Sequence, residues 1–219
     1  IAGGEYNAAL GNYVLDANTS GDNNIGLGYN SLTANTTGSV NVAIGSQALD
    51  ANTTGGSNVA VGYSALGANV SSNYNTGIGR QALSNTTGAA NTSLGYRAGD
   101  IITSGSSNVI IGVNADPSAV AAENQIVIGK GATGHGDNIA VIGNTDMTAW
   151  HPADDNGVDL GSTSYEYKNL YVDGVAYLDA IGMGSTAMTL PTADGSAQAV
   201  LKTDGSGTLS WGDAGATSV

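Results

Sequence analysis

Glycine recurs at a nearly constant spacing through the first two thirds of the chain. Each repeat glycine follows a short apolar–small–apolar segment, and the intervals between successive ones are 17, 17, 17, 17, 16, 17, 17 and 14 residues. Helical repeats need about 30 residues or more per unit, so a shorter unit fits one coil of a β-solenoid. The spacing therefore predicts an all-β fold, a parallel β-roll or β-solenoid with coils of about 17 residues. The repeat glycines are Gly11, Gly28, Gly45, Gly62, Gly79, Gly95, Gly112, Gly129 and Gly143.

Each repeat has the same internal order of apolar and turn-forming residues. In the third copy, Val42 and Ile44 flank a small residue with a period of two, which indicates a strand. The pair Ala48-Leu49 supplies a second apolar patch, and the segment 52–55 (Asn-Thr-Thr-Gly) is typical of a turn. We therefore expect two short strands and two turns per coil. Coils stacked about 4.8 Å apart would give a rod of roughly 40 Å.

An asparagine opens most copies and predicts a ladder along the stack. Its side-chain amides would pair between coils, and Asn tolerates a left-handed turn conformation. We expect the repeat glycine to mark a backbone bend where no Cβ fits. The ladder residues are Asn24, Asn41, Asn58, Asn75, Asn91 and Asn108.

N-x-S/T triplets follow the period of the repeat. Since their spacing is that of the turns, we interpret them as turn chemistry rather than as glycosylation acceptors. The triplets begin at Asn18, Asn35, Asn52, Asn69, Asn85 and Asn91.

The composition predicts association between chains. The sequence has 34 Gly and no Phe, so a coil has a thin interior filled by small aliphatic groups. Such a coil is marginal as an isolated rod. We expect several chains to associate and bury a second apolar stripe.

Charge and residue usage exclude several classes of partner. The chain has 5 basic and 18 acidic residues and a net charge of −13, which disfavours nucleic acid and anionic membranes. It contains no Cys, so it has no disulfide framework and no thiol chemistry. No apolar run is long enough to insert in a membrane. We expect neither a cofactor nor a bound metal.

The glycine periodicity of the sequence ends near residue 145. We predict a β-roll repeat domain over 1–145, followed over 146–219 by a linker and an antiparallel β connector or knob. Asp173-Gly174 between two apolar segments indicates a type I′ hairpin. A second hairpin is expected from 200–203 to 208–211.

The N-x-A-x-G units resemble the head repeats of YadA-type trimeric autotransporter adhesins. The longer form with A-L and N-T-T-G, over about residues 5–144, is more similar to repeats of phage tail fibres. The segments D-L-G-S…Y-K-N-L-Y-V-D-G and L-P-T-A-D-G…V-L-K-T-D-G-S-G-T-L-S-W also resemble the ends of such fibres. This resemblance implies a homotrimeric rod, and in that family a cleaved C-terminal chaperone often follows.

Three tyrosines stand directly after a repeat glycine. Tyr29, Tyr63 and Tyr96 would project in register along one edge of the rod, where they are candidates for receptor contact. Packing between chains is the alternative. We interpret His135 and His151 as surface turn residues and predict no catalytic residue.

The sequence thus predicts a non-enzymatic structural and adhesive protein. A phage tail fibre that mediates host-surface attachment is the leading hypothesis, in the virion or otherwise extracellular. Its partners would be a cell-surface glycan or protein receptor and other fibre or virion proteins. One alternative is a bacterial trimeric adhesin head. Another is a tailspike depolymerase acting on surface polysaccharide, for which the pair Asp154 and Asp155 is the candidate.

Overall fold

The structure is a computed structural model, and it describes residues 3–151, 160, 162, 164–173, 180–183, 186–189, 199–203 and 209–213. The described part is all-β and contains no helix. By contacts the chain divides into two compact units, Ile1–His151 and Pro152–Val219.

The first unit is a β-solenoid with one parallel sheet. Its nine strands stack in chain order, and each pairs in parallel with the next one along the chain. The register is one coil, as where Ala43 faces Ala60 between two consecutive strands. The predicted fold class is therefore confirmed. The strands are β1 Ala8–Leu10, β2 Ile25–Leu27, β3 Val42–Ile44, β4 Val59–Val61, β5 Thr76–Ile78, β6 Thr92–Leu94, β7 Val109–Ile111, β8 Ile126–Ile128 and β9 Ala140–Ile142.

Each coil contains one strand of three residues, so the prediction of two strands per coil was wrong. The Ala-Leu segment forms a turn, because its backbone includes left-handed residues that a strand excludes: Gln47 has φ 59° and Leu49 has φ 52°. This turn still bonds between coils. The Leu49 N–H donates to the Ala65 carbonyl at 3.1 Å.

The core is narrow and is filled by three aliphatic columns. In the third coil these are Ala43 from the middle of the strand and the pair Ala48-Leu49 from the turn, all fully buried. The same three positions are buried in the fourth coil as Ala60, Ala65 and Leu66. Successive side chains of a strand point to opposite faces. Because the core is narrow, the small middle residue faces inward, and the larger first and third residues face outward.

The repeat asparagines form a buried ladder in the core. Asn24 Oδ1 accepts from both the backbone N–H and the side-chain Nδ2 of Asn41, at 3.0 and 3.1 Å. Asn41 Oδ1 accepts the same two bonds from Asn58. Backbone bonds of this kind link Asn58 to Asn75 and continue, one coil at a time, as far as Asn108. The ladder ends at Gln125, whose N–H donates to Asn108 Oδ1.

The ladder asparagines do not take the left-handed conformation, so that part of the prediction was wrong. The residue before each one does: φ is 63° at Val40, 58° at Ser57 and 64° at Tyr74. The Asn itself leads into the strand and turns its side chain inward. Hydrogen bonding, rather than tolerance of a positive φ, explains why Asn stands there.

A second asparagine ladder runs beside the first. The turn residues Asn18, Asn35, Asn52 and Asn69 are buried. From Asn35 onwards, each Nδ2 donates to the Oδ1 one coil before at 2.9 Å. Both ladders converge on one carbonyl per coil, since Asn41 and Asn52 each donate to the Gly55 oxygen at 2.9 Å. The coils up to Asn69 are thereby closed on themselves and tied to their neighbours.

The repeat glycines hold a backbone conformation that other residues rarely adopt. Their φ angles lie between 128° and 140° at Gly28, Gly45, Gly62, Gly79, Gly95 and Gly112. A Cβ placed on Gly45 would lie 2.6 Å from the carbonyl oxygen of Gly62. No side chain fits in this column, because the backbones of successive coils approach too closely.

The second unit contains two antiparallel hairpins in its described residues. β10 Ala180–Met183 pairs with β11 Thr186–Thr189, a hairpin that the sequence analysis missed. β12 Ala199–Thr203 pairs with β13 Leu209–Asp213, with Leu201 opposite Trp211, which confirms the hairpin predicted there. The hairpin predicted at Asp173-Gly174 falls partly outside the described residues, and 169–173 belong to no strand.

Candidate interaction surfaces of the solenoid

The outward side of the parallel sheet carries two columns of side chains, aliphatic except for two threonines in the first column, called here the aliphatic face. They are the first and third residues of strands β2 to β8. Neither column contains a charged residue. Leu27, Leu94 and Ile126 are exposed, and most other members are half-buried. The columns are Ile25, Val42, Val59, Thr76, Thr92, Val109 and Ile126, and Leu27, Ile44, Val61, Ile78, Leu94, Ile111 and Ile128.

The aliphatic face extends over seven adjacent strands. Seven parallel strands spaced about 4.8 Å apart give it a height of roughly 30 Å. Large contiguous apolar patches on protein surfaces often belong to interaction sites, which makes this face a candidate. Water contact with these side chains is a free-energy cost that association can remove.

The three predicted tyrosines occupy the same position in their coils, and the structure groups them in two places. Tyr29, Tyr63 and Tyr96 are exposed by 51%, 45% and 38%. Tyr29 packs edge-to-face on Tyr13, with ring centroids 5.9 Å apart. Tyr63 and Tyr96 belong to a separate cluster two and four coils further along the rod.

Arg80 lies between Tyr63 and Tyr96. Its Cζ atom is 5.7 Å from the centroid of each ring, so the guanidinium has an aromatic ring on either side. We call these three residues the arginine–tyrosine stack. Sequence reasoning missed Arg80, although it follows Gly79 as Tyr63 follows Gly62. Its position directly after a repeat glycine could have identified it, because that position places Arg80 in the same column as the tyrosines.

The two histidines are exposed, and no cluster of metal-binding side chains occurs among the described residues. His135 borders an open cavity of about 380 Å³ at the last coil, lined also by Thr133, Val141 and Asn144. Asp154 and Asp155, the candidates for a glycan-cleaving pair, lie outside the described residues.

Two half-buried carboxyl groups have raised pKa values. Burial raises the pKa of Asp116, and the nearby Asp100 carboxylate raises it further. One carboxylate oxygen of Asp116 is buried without a hydrogen-bond partner. Burial also raises the pKa of Asp50.

Comparison with known proteins provides no relative: a scan of protein-family models, a search of curated proteins and a search of solved structures each found no match. Among the described residues, no helix is long and apolar enough to cross a membrane.

Proposed function

We propose that this chain is a structural and adhesive fibre protein, a segment of a homotrimeric phage tail fibre that attaches to the host surface. The observation that carries the proposal is the aliphatic face, which a single chain leaves in contact with water. The similarity of the repeats to those of tail fibres and trimeric adhesin heads supports the same reading. In this proposal the protein is extracellular or virion-borne and performs no catalysis.

Association through the aliphatic face has a clear energetic basis. A half-exposed Leu or Ile that becomes buried contributes on the order of 1 kcal/mol. Seven strands supply two such columns, and the burial of both would exceed the cost of association. Three chains around a three-fold axis would place the first column against one neighbour and the third-residue column against the other.

A rod of this kind suits a spacer that carries receptor contacts away from a particle. Each coil is held by backbone and asparagine bonds to the next, so its stability is local and its length is set by the number of coils. Three copies of a weak surface contact on one rod act together, and the effective affinity rises without any strong single site.

The experiment is the molar mass in solution by light scattering, before and after boiling in detergent. We expect a mass about three times 21.6 kDa that falls to the monomer only on boiling. The variant Ile44→Glu with Val61→Glu introduces charge into the aliphatic face and should yield monomer or aggregate. Thr37→Glu, in an exposed turn, is the matched control and should remain trimeric. A native chain that is monomeric at 21.6 kDa would refute the proposal.

A further inference from the structure

The arginine–tyrosine stack holds a cation ready for an anionic ligand. Aromatic rings lie on both sides of the Arg80 guanidinium, and each ring centroid is 5.7 Å from Cζ. The N–H donors of a guanidinium lie in its own plane. Arg80 is exposed, and within the described ranges no carboxylate pairs with it. Its donors are therefore available to a ligand.

Basic residues of the solenoid are confined to one edge. Residues 3–151 contain Arg80, Arg97 and Lys130, and each stands one or two places after a repeat glycine. Arg97 is paired with Asp100. The chain as a whole has a charge of −13, so its surface repels anions in general. An anion that binds here must do so by direct contact at this edge.

The chemistry of the stack fits a carboxylate on a sugar ring. A planar guanidinium binds a carboxylate through two parallel hydrogen bonds. Tyr63 and Tyr96 keep 45% and 38% of their surface exposed on either side, and aromatic surface packs against the C–H faces of sugars. An acidic peptide would use the cation but leave the aromatic surface uncovered, so the arrangement favours a saccharide.

We propose that the arginine–tyrosine stack binds a carboxylate-bearing sugar, such as a uronic or sialic acid residue of an acidic surface glycan. This inference deepens the proposed function, because it names the class of receptor for the fibre. In a trimer the stack is presented three times, which strengthens attachment to a polymer with repeated carboxylates.

The test is calorimetric titration of the native chain with four short saccharides and one peptide. The acidic probes are tri-galacturonic acid, a hyaluronan tetrasaccharide and tri-sialic acid. Carboxyl-reduced tri-galacturonic acid is the neutral probe, and tri-glutamate is the peptide. We expect at least one acidic saccharide to bind at least tenfold more tightly than both the neutral sugar and the peptide.

Variants locate the binding site. Arg80→Gln should weaken binding of that saccharide at least tenfold, and the double variant Tyr63→Ser with Tyr96→Ser should weaken it at least fivefold. Lys130→Gln is the matched control, since it removes an equal charge from the same column but has Val113 as its neighbour one coil before. Its effect should stay below threefold. Thermal unfolding of each variant should match that of the native chain.

The outcomes separate this inference from the fibre proposal. If none of the three acidic saccharides binds, or if Lys130→Gln acts as strongly as Arg80→Gln, the inference is overturned. Tight binding of tri-glutamate would likewise replace it with a peptide site. Light scattering on the same samples shows whether the chains are trimeric, and Arg80→Gln must leave that mass unchanged. A change in mass would assign Arg80 to the contact between chains instead.

Discussion

The coils over residues 24–74 and those over 75–138 share one architecture. They differ in how completely the buried polar side chains of their cores are hydrogen-bonded. In the first group, Asn35, Asn52 and Asn69 continue the second ladder, and each Nδ2 has two acceptors. Among the described residues, the buried side-chain atoms without a partner all lie in the second group. They are Thr86 Oγ1, Ser93 Oγ and Asp116 Oδ1.

The difference begins where one coil is a residue shorter. That coil has 16 residues, and Thr86 rather than Asn85 takes the position below Asn69. Asn85 is exposed, and in the next coil Ile102 fills the ladder position. In each ladder an acceptor of the side-chain amide is the copy of that side chain one coil before. A single departure from the repeat therefore leaves its neighbours to be satisfied by other means.

Loss of the glycine column should have the largest effect. Gly45→Ala forces a Cβ against the Gly62 carbonyl and a φ of 130° on alanine, so we expect a loss of at least about 3 kcal/mol in unfolding free energy. Gly131→Ala is the control in the second group, since Gly131 has φ 62° and open space. Its cost should be about 1 kcal/mol. Denaturant unfolding at equal protein concentration measures both, and equal losses would contradict the role of the close approach.

Removal of one ladder amide should rank next. Asn41→Ala leaves the buried backbone N–H of Asn58 without its acceptor and leaves Asn58 Nδ2 with the Ser72 carbonyl alone. We expect a loss of about 3 kcal/mol by chemical denaturation. Asn85→Ala, at the exposed asparagine of the shorter coil, should cost less than about 1 kcal/mol. A comparable loss at both sites would mean that burial in the ladder is not what stabilises the coil.

One substitution should have opposite signs in the two groups. Thr86→Val removes a buried hydroxyl that has no partner and should stabilise the protein by about 1 kcal/mol. Thr36→Val removes a hydroxyl that donates to the Thr53 carbonyl at 3.0 Å and should destabilise it by up to about 1 kcal/mol. The difference in melting temperature between the two variants is the measurement. Two changes of the same sign would remove the basis of the comparison.

The smallest expected effect on the free energy of unfolding depends on pH. The folded pKa of Asp116 is raised above its ordinary value of 3.8, so ionisation costs stability. This cost is absent below pH 3.8, grows as the pH rises from 3.8 to the folded pKa, and is constant above it. Asp116→Asn should therefore stabilise the protein at neutral pH and not at pH 3.

Asp137 provides the opposite control for that titration. The Glu123 N–H and the Gln125 side chain lower the pKa of Asp137, so its contribution is present above pH 3.8 and is lost as the pH falls through the folded pKa. Asp137→Asn should destabilise the protein at neutral pH. Unfolding curves at pH 3 and pH 7 test both variants, and a gain for Asp116→Asn that persists at pH 3 would contradict the electrostatic explanation.

The solenoid was predictable because the same residue types recur at the same positions in many successive repeats. The interval between glycines gave the number of coils and the parallel register, and Val42 and Ile44 indicated the strand. The left-handed backbone at Gln47 and Leu49 was not predictable, since neither residue favours a positive φ by itself. That conformation is imposed by the bonds to the next coil, which a single repeat does not show.

The sequence predicted which column each surface residue occupies, but it did not predict which side chains contact each other. Counting from the glycines placed Tyr63 and Tyr96 in one column. The contact of both rings with Arg80 depends on how side chains stack between coils. The pattern of aromatic residues alone does not include an arginine. The second ladder was missed for a related reason: Asn52 stands in a sequence typical of a turn, and only the fold shows that its side chain points inward.

The asparagine ladders have a consequence for how such a chain can change in evolution. Over residues 24–74 each coil bonds to the coil before and after it through the same atoms, and Gly55 accepts both of its asparagines from within its own coil. Duplication or deletion of one of these coils by unequal recombination would therefore recreate every ladder bond at the junction. Shifts by a fraction of a coil would not. Rod length can thus vary in discrete steps among descendants, while the surface carried by each coil diverges independently.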